Sequence, residues 1–108
     1  MSKITMTYKK TEYVLEYNRQ SVKTMESQGF ILDEITSKPM TMIPMLFAGA
    51  FIKNHRGIKR SLIDEIYDNI NDKTGLMQGL IEMYAETLSS LTDDTENNEG
   101  NAVWAIVK

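Results

Sequence analysis

Apolar side chains first fall at every second position: Ile4, Met6 and Tyr8, then, after Lys9, Lys10 and Thr11, Tyr13, Leu15 and Tyr17. Successive side chains of a strand point to opposite faces, so this period of two predicts an antiparallel β-hairpin. The intervening Thr5, Thr7, Glu12, Val14 and Glu16 suit a sheet covered on one side only. A lone hairpin is marginally stable, and something must pack on it. The spacing then turns helical. Asn18 offers an N-cap for a short helix carrying Ser21, Val22, Met25 and Glu26, which Gly29 can end in a left-handed position with Phe30 closing the cap. Phe30–Leu32 is apolar, and residues 33–39 read as a connection with one turn of structure.

The most apolar window, Met40 to Ile52, predicts a buried helix capped by Thr41, with Pro44 in its first turn, running to about Asn54 before Gly57 stops it. It is far short of the roughly 20 residues a helix needs to cross a bilayer. Ser61 and Asp64 resemble a capping box, and Leu62, Ile63, Ile66 and Ile70 form a helical stripe beyond it. Thr74 and Gly75 break the chain, and Leu76, Leu80, Met83, Thr87, Leu88 and Leu91 predict a last long helix. The reading is one α+β domain over residues 1–91, an N-terminal antiparallel β-hairpin packed against about four α-helices. Its predicted core comprises Tyr13, Leu15, Tyr17, Leu46, Phe47, Phe51, Ile66, Ile70, Leu80 and Met83. Residues 92–101 hold no apolar side chain except Thr methyls and predict an acidic flexible linker. Residues 102–108 are an apolar C-terminal docking segment, expected to add as a strand or anchor to the hairpin edge of its own chain or of a neighbouring subunit, with Trp104 as the anchor.

Charge and composition narrow the function. The 108 residues include 12 Lys and Arg against 15 Asp and Glu. Residues 1–92 are balanced, and the whole deficit comes from Asp93, Asp94, Glu96 and Glu99, offset by Lys108. Clustered cations, the footprint of a phosphate-binding surface, are confined to the short run His55, Arg56, Lys59 and Arg60, so nucleic acid is not an expected partner. Without Cys there can be no disulfide, thiolate metal site or thiol nucleophile, and one His cannot build a multi-His metal centre. The alternating start after Met1-Ser2-Lys3 is unlike the continuous apolar run of a signal peptide, and no membrane span is expected.

Candidate chemistry is correspondingly thin. Asp64, Asp68 and Asp72 share a helical face at i, i+4 spacing, but they lack the glycine and alternating oxygen ligands of a calcium loop and read as a solvated face. His55, at the end of the apolar helix, suits the negative pole of the helix dipole, and no Gly-x-Ser-x-Gly nucleophile motif accompanies it. No catalytic residue, metal ligand or cofactor is therefore expected. The Met-rich block is different, because flexible, polarisable Met side chains accept varied partner helices. Met40, Met42, Met45, Phe47, Gly49 and Phe51, with Trp104, form the candidate partner-binding set. Ala48-Gly49-Ala50 would admit a second helix closely, which predicts a homo-oligomer.

A hairpin, a short helix ending in Gly29-Phe30, the apolar block Ile43-Pro44-Met45-Leu46-Phe47-Ala48-Gly49-Ala50-Phe51 and the acidic helix Leu62-Ile63-Asp64-Glu65-Ile66-Tyr67 follow one another in an order that resembles the tail assembly chaperones of long-tailed bacteriophages and prophages. The likeness covers residues 4 to about 91. It implies a non-catalytic protein of the bacterial host cytoplasm that binds the helical tape measure protein and keeps it soluble during tail morphogenesis. In that family a longer product of ribosomal frameshifting often recruits the tail tube protein. The alternative is a small phage-encoded regulatory or DNA-binding protein with a helix-turn-helix around Gly57 and Gly75. Against it, residues 76–91 contain no Lys or Arg and include Glu82 and Glu86.

Overall fold

The computed structural model describes residues 2–92 and 104–107. Two strands, β1 (Ile4–Tyr8) and β2 (Thr11–Leu15), form an antiparallel hairpin, and four α-helices follow: α1 (Arg19–Ser27), α2 (Pro39–Gly49), α3 (Arg60–Asp68) and α4 (Lys73–Ser89), with one 3-10 turn at Leu32–Glu34 between α1 and α2. This is the expected α+β arrangement. Residues 93–103 and 108, which include most of the expected linker and part of the docking segment, lie outside the described residues.

Strand pairing sets Ile4 opposite Leu15, Met6 opposite Tyr13 and Tyr8 opposite Thr11. The turn between them is Lys9-Lys10, both with positive φ (48° and 68°), the backbone of a two-residue hairpin turn usually written with Asn and Gly. Alternation does the rest, since a slip by one residue would turn Tyr13 and Leu15 from the core to solvent. The tip is tied to α3, where Glu65 accepts the Tyr8 hydroxyl at 2.7 Å and pairs with Lys9 at 3.0 Å. At the other end the Ser2 hydroxyl donates to Glu86 of α4 at 2.7 Å.

The caps of α1 form as the sequence predicts. Asn18 accepts the Ser21 N–H while the Ser21 hydroxyl accepts the Asn18 N–H, satisfying donors that a helix start leaves free. Gly29 takes φ 99°, and the Phe30 and Gly29 amides donate to Met25 and Glu26, which is the Schellman ending. Three boundaries differ. Helix α2 starts at Pro39, two residues before the predicted Thr41 cap, because a proline ring already holds the φ of a first helical residue. Pro44 consequently lies inside the helix, where it cannot donate to the Met40 carbonyl, and α2 ends at Gly49. Helix α3 has no side-chain cap: Lys59 precedes it, Ser61 is within it, and Asp64 pairs with Arg60. Helix α4 begins before the expected break, with Asp72 accepting the Gly75 N–H at 3.0 Å. A Cβ on Gly75 would stand 2.3 Å from that carboxylate, so the glycine makes room for the cap.

One core joins the elements, formed by Tyr13, Leu15, Tyr17, Met25, Phe30, Leu46, Phe47, Phe51, Ile66, Leu80, Met83 and Tyr84 among others. Of the predicted set only Ile70 is half-buried, since α3 ends before it. The aromatic rings meet edge to face: Tyr84 receives Tyr17 at 5.4 Å and Phe30 at 5.1 Å, and Phe51 receives Phe47 at 5.1 Å. Burial pushes the Tyr17 phenol well above its usual range, and its hydroxyl donates to the Leu46 carbonyl.

Candidate functional site

The apolar helix α2 is buried unequally. Met42, Leu46, Phe47 and Gly49 are in the core, while Met40, 89% exposed, is not. Met40, Ile43, Pro44 and Phe47 recur at i, i+3, i+4 and i+7, one face of a helix. That face meets Arg60, Asp64, Tyr67 and Asp68 of α3 across a groove of about 420 Å³. Its floor is apolar. Phe47 and Tyr67 touch at 5.3 Å between ring centroids, and the Lys73 ammonium stands 5.5 Å from the Tyr67 ring centroid. The rim is charged, with Arg60 Nε 3.3 Å from Asp64 and Asp68 beyond it. An apolar trough with a polar edge suits an amphipathic segment, whose own polar side would stay in water.

The predicted partner-binding residues do not form one surface. Met40 and Phe47 line the groove, Met40 as an open side chain and Phe47 as a core ring beneath it, 1% exposed. Met42, Gly49 and Phe51 belong to the core, and Met45 is half-buried against it. Gly49 does permit a close approach, but to α1 of the same chain: a Cβ there would stand 2.2 Å from the Met25 sulfur. This removes the reason for placing a subunit contact at Ala48-Gly49-Ala50. Trp104 is 81% exposed and lines neither the groove nor the smaller recess around Phe51, Ile52 and Ile58. Ile43, Pro44 and Tyr67 were missed as groove residues. The i, i+3, i+4, i+7 spacing from Met40 to Phe47 was the available signal, hidden by a helix apolar on nearly every side.

The acidic face predicted at Asp64, Asp68 and Asp72 divides among separate tasks: Asp64 pairs with Arg60, Asp72 caps α4, and Asp68 edges the groove. Among the described residues no group of three or more His, Asp or Glu could hold a metal ion. His55 does not sit at the end of α2, which stops at Gly49. Its Nε2 instead accepts the Val14 N–H of β2 at 3.0 Å, and its ring stands edge-on to Tyr13 at 5.3 Å. Beside it the Asn54 amide donates to the Val14 carbonyl at 3.2 Å. His55 thereby serves the sheet.

No curated protein and no solved structure matches this chain. A family model does match it over residues 1–107, and the chain belongs to that family, described as a domain of unknown function (DUF5055).

Proposed function

We propose that the protein is a non-catalytic tail assembly chaperone of a bacteriophage or prophage, acting in the host cytoplasm, and that the α2–α3 groove takes an amphipathic helix of the tape measure protein. The observation that carries this reading is the groove itself, with Met40, Ile43, Pro44, Phe47 and Tyr67 below and Arg60, Asp64 and Asp68 at its rim. A client helix would lose its aggregation-prone stripe against the floor, and basic side chains beside that stripe would meet the two aspartates. Many weak contacts of this kind along one long helix would hold it while leaving each copy displaceable by the tail tube protein.

The test is co-expression with a long helical tape measure protein, reading the fraction of client that stays soluble. The wild-type chain should raise that fraction, and Met40→Asp should abolish the gain while leaving the Tm within a few degrees of wild type, because Met40 is exposed. A client that aggregates equally with and without the wild-type chain would overturn the reading.

A further inference from the structure

The two outer edges of the hairpin are treated differently. With Lys9-Lys10 as a two-residue turn, the pairs that exchange backbone hydrogen bonds are Tyr8–Thr11, Met6–Tyr13 and Ile4–Leu15, because opposite residues of an antiparallel ladder alternate between bonded and non-bonded pairs. The backbone groups of the residues between them therefore point away from the ladder. On β2 these groups are taken from Val14 onward, the Val14 N–H by His55, the Val14 carbonyl by Asn54 and the Glu16 N–H by the Ala50 carbonyl at 3.1 Å, while Glu12 beside the turn has no such partner among the described residues. On β1 the outward groups belong to Thr5 and Thr7, both exposed, and they meet no hydrogen-bond partner among the described residues. Neither a proline nor an inward charge guards this edge, the devices by which sheets usually refuse another strand.

A candidate strand exists elsewhere in the chain. Trp104-Ala105-Ile106-Val107 combines aromatic and β-branched residues, and it leaves Trp104, Ile106 and Val107 81%, 72% and 93% exposed. In extended form Trp104 and Ile106 share one face and Ala105 and Val107 the other. Laid beside β1, the larger pair would continue the half-buried face of Ile4, Met6 and Tyr8, and the small Ala105 would lie beside the threonines. Charge agrees, since Asp93, Asp94, Glu96 and Glu99 precede the segment while Lys3 and Lys10 flank β1, Lys9 being paired with Glu65.

We propose that Trp104–Val107 of one copy adds as a third strand to the free β1 edge of a second copy. Among the described residues of one chain the sheet is β1 and β2 alone and the segment is uncovered, and the β1 edge of another molecule is the surface that covers it. Donor segment and acceptor edge are different parts of the chain, which makes the contact heterologous. It needs no client and does not rest on the chaperone reading.

Trp104 is the single tryptophan, so its emission reports on this junction. Sedimentation of the full-length chain over a concentration series should show mass rising together with a blue shift of that emission. Thr5→Pro removes an outward N–H without touching a ladder bond, and Trp104→Ala removes the anchor. Each variant alone should be a monomer with wild-type circular dichroism. Their equimolar mixture should form a dimer and stop there, since only one junction can be made. A wild-type monomer with solvated indole at every concentration would overturn the proposal. So would a blue-shifted indole in a monomer, which marks docking on the same chain, or an oligomer that survives Trp104→Ala. Should Thr5→Pro fail to fold, Thr7→Pro takes its place, and the parallel change of mass and emission in the wild type decides independently of either.

Discussion

The imidazole of His55 accepts the Val14 N–H at 3.0 Å, and the adjoining Asn54 amide donates to the Val14 carbonyl, so two neighbouring side chains supply what a third strand would supply at this point of β2. An imidazole accepting at Nε2 carries its proton on Nδ1. His55→Ala leaves a half-buried N–H unpaired and also removes a ring packed on Tyr13 and Phe51. Chemical denaturation should show a loss of about 1 to 3 kcal/mol, and the Val14 amide should exchange with solvent faster relative to Tyr13.

Gly49 and Met25 make a second test of packing. Gly49→Ala drives a methyl into the Met25 side chain and should destabilise by about 1 to 3 kcal/mol, the usual cost of overpacking. Met25→Ala with Gly49→Ala should recover part of the loss, giving a coupling energy in a double-mutant cycle. Wild-type stability in Gly49→Ala would contradict the close approach of α1 and α2.

Within α2 two positions should respond oppositely. Leu46 is completely buried, and truncation to Ala should cost about 2 to 5 kcal/mol. Met40→Ala, six residues earlier on the open face, should change stability by no more than about 0.5 kcal/mol. Urea titration of both variants measures the contrast.

Glu16 gives stability a pH dependence of known sign. The Lys53 ammonium at 2.8 Å and the Asn54 amide hold its carboxyl below the ordinary glutamate range. A group depressed in the folded state contributes stability above its unfolded pKa, about 4.3, and that contribution is lost as pH falls through the lower folded value. Stability should therefore decline on acidification below about pH 5. Glu16→Gln should flatten part of the decline, seen as a smaller drop in Tm between neutral and acid buffer.

The sequence carried the fold further than the site. Period-two alternation placed the hairpin, and Asn18 and Gly29 marked both ends of α1, because each signal acts within a few residues. The start of α2 was misplaced because Thr41 and Pro39 both suit a helix start, and the chain used the proline's fixed φ. In the Met-rich block local chemistry could not tell which of Met40, Met42 and Met45 would face solvent: a helix apolar all round has no intrinsic inner side. The arrival of α1 at Gly49 and of α3 at Phe47 makes that choice. The role of His55 was equally hidden, since it depends on a strand 41 residues away.

The Lys9-Lys10 turn bears on the order in which the molecule assembles. Two lysines in left-handed backbone cost about 1 to 2 kcal/mol each relative to the right-handed region, so the hairpin has a turn that opposes its own closure. Leu15, Tyr13 and the Glu65 contacts compensate only when the helices are in place. The strands should therefore join after the helices, outside the folding nucleus. Replacing Lys10 alone by Gly, which relieves one left-handed position and keeps the Lys9–Glu65 pair, should accordingly slow unfolding and leave the folding rate nearly unchanged, as expected for an interaction that forms after the transition state.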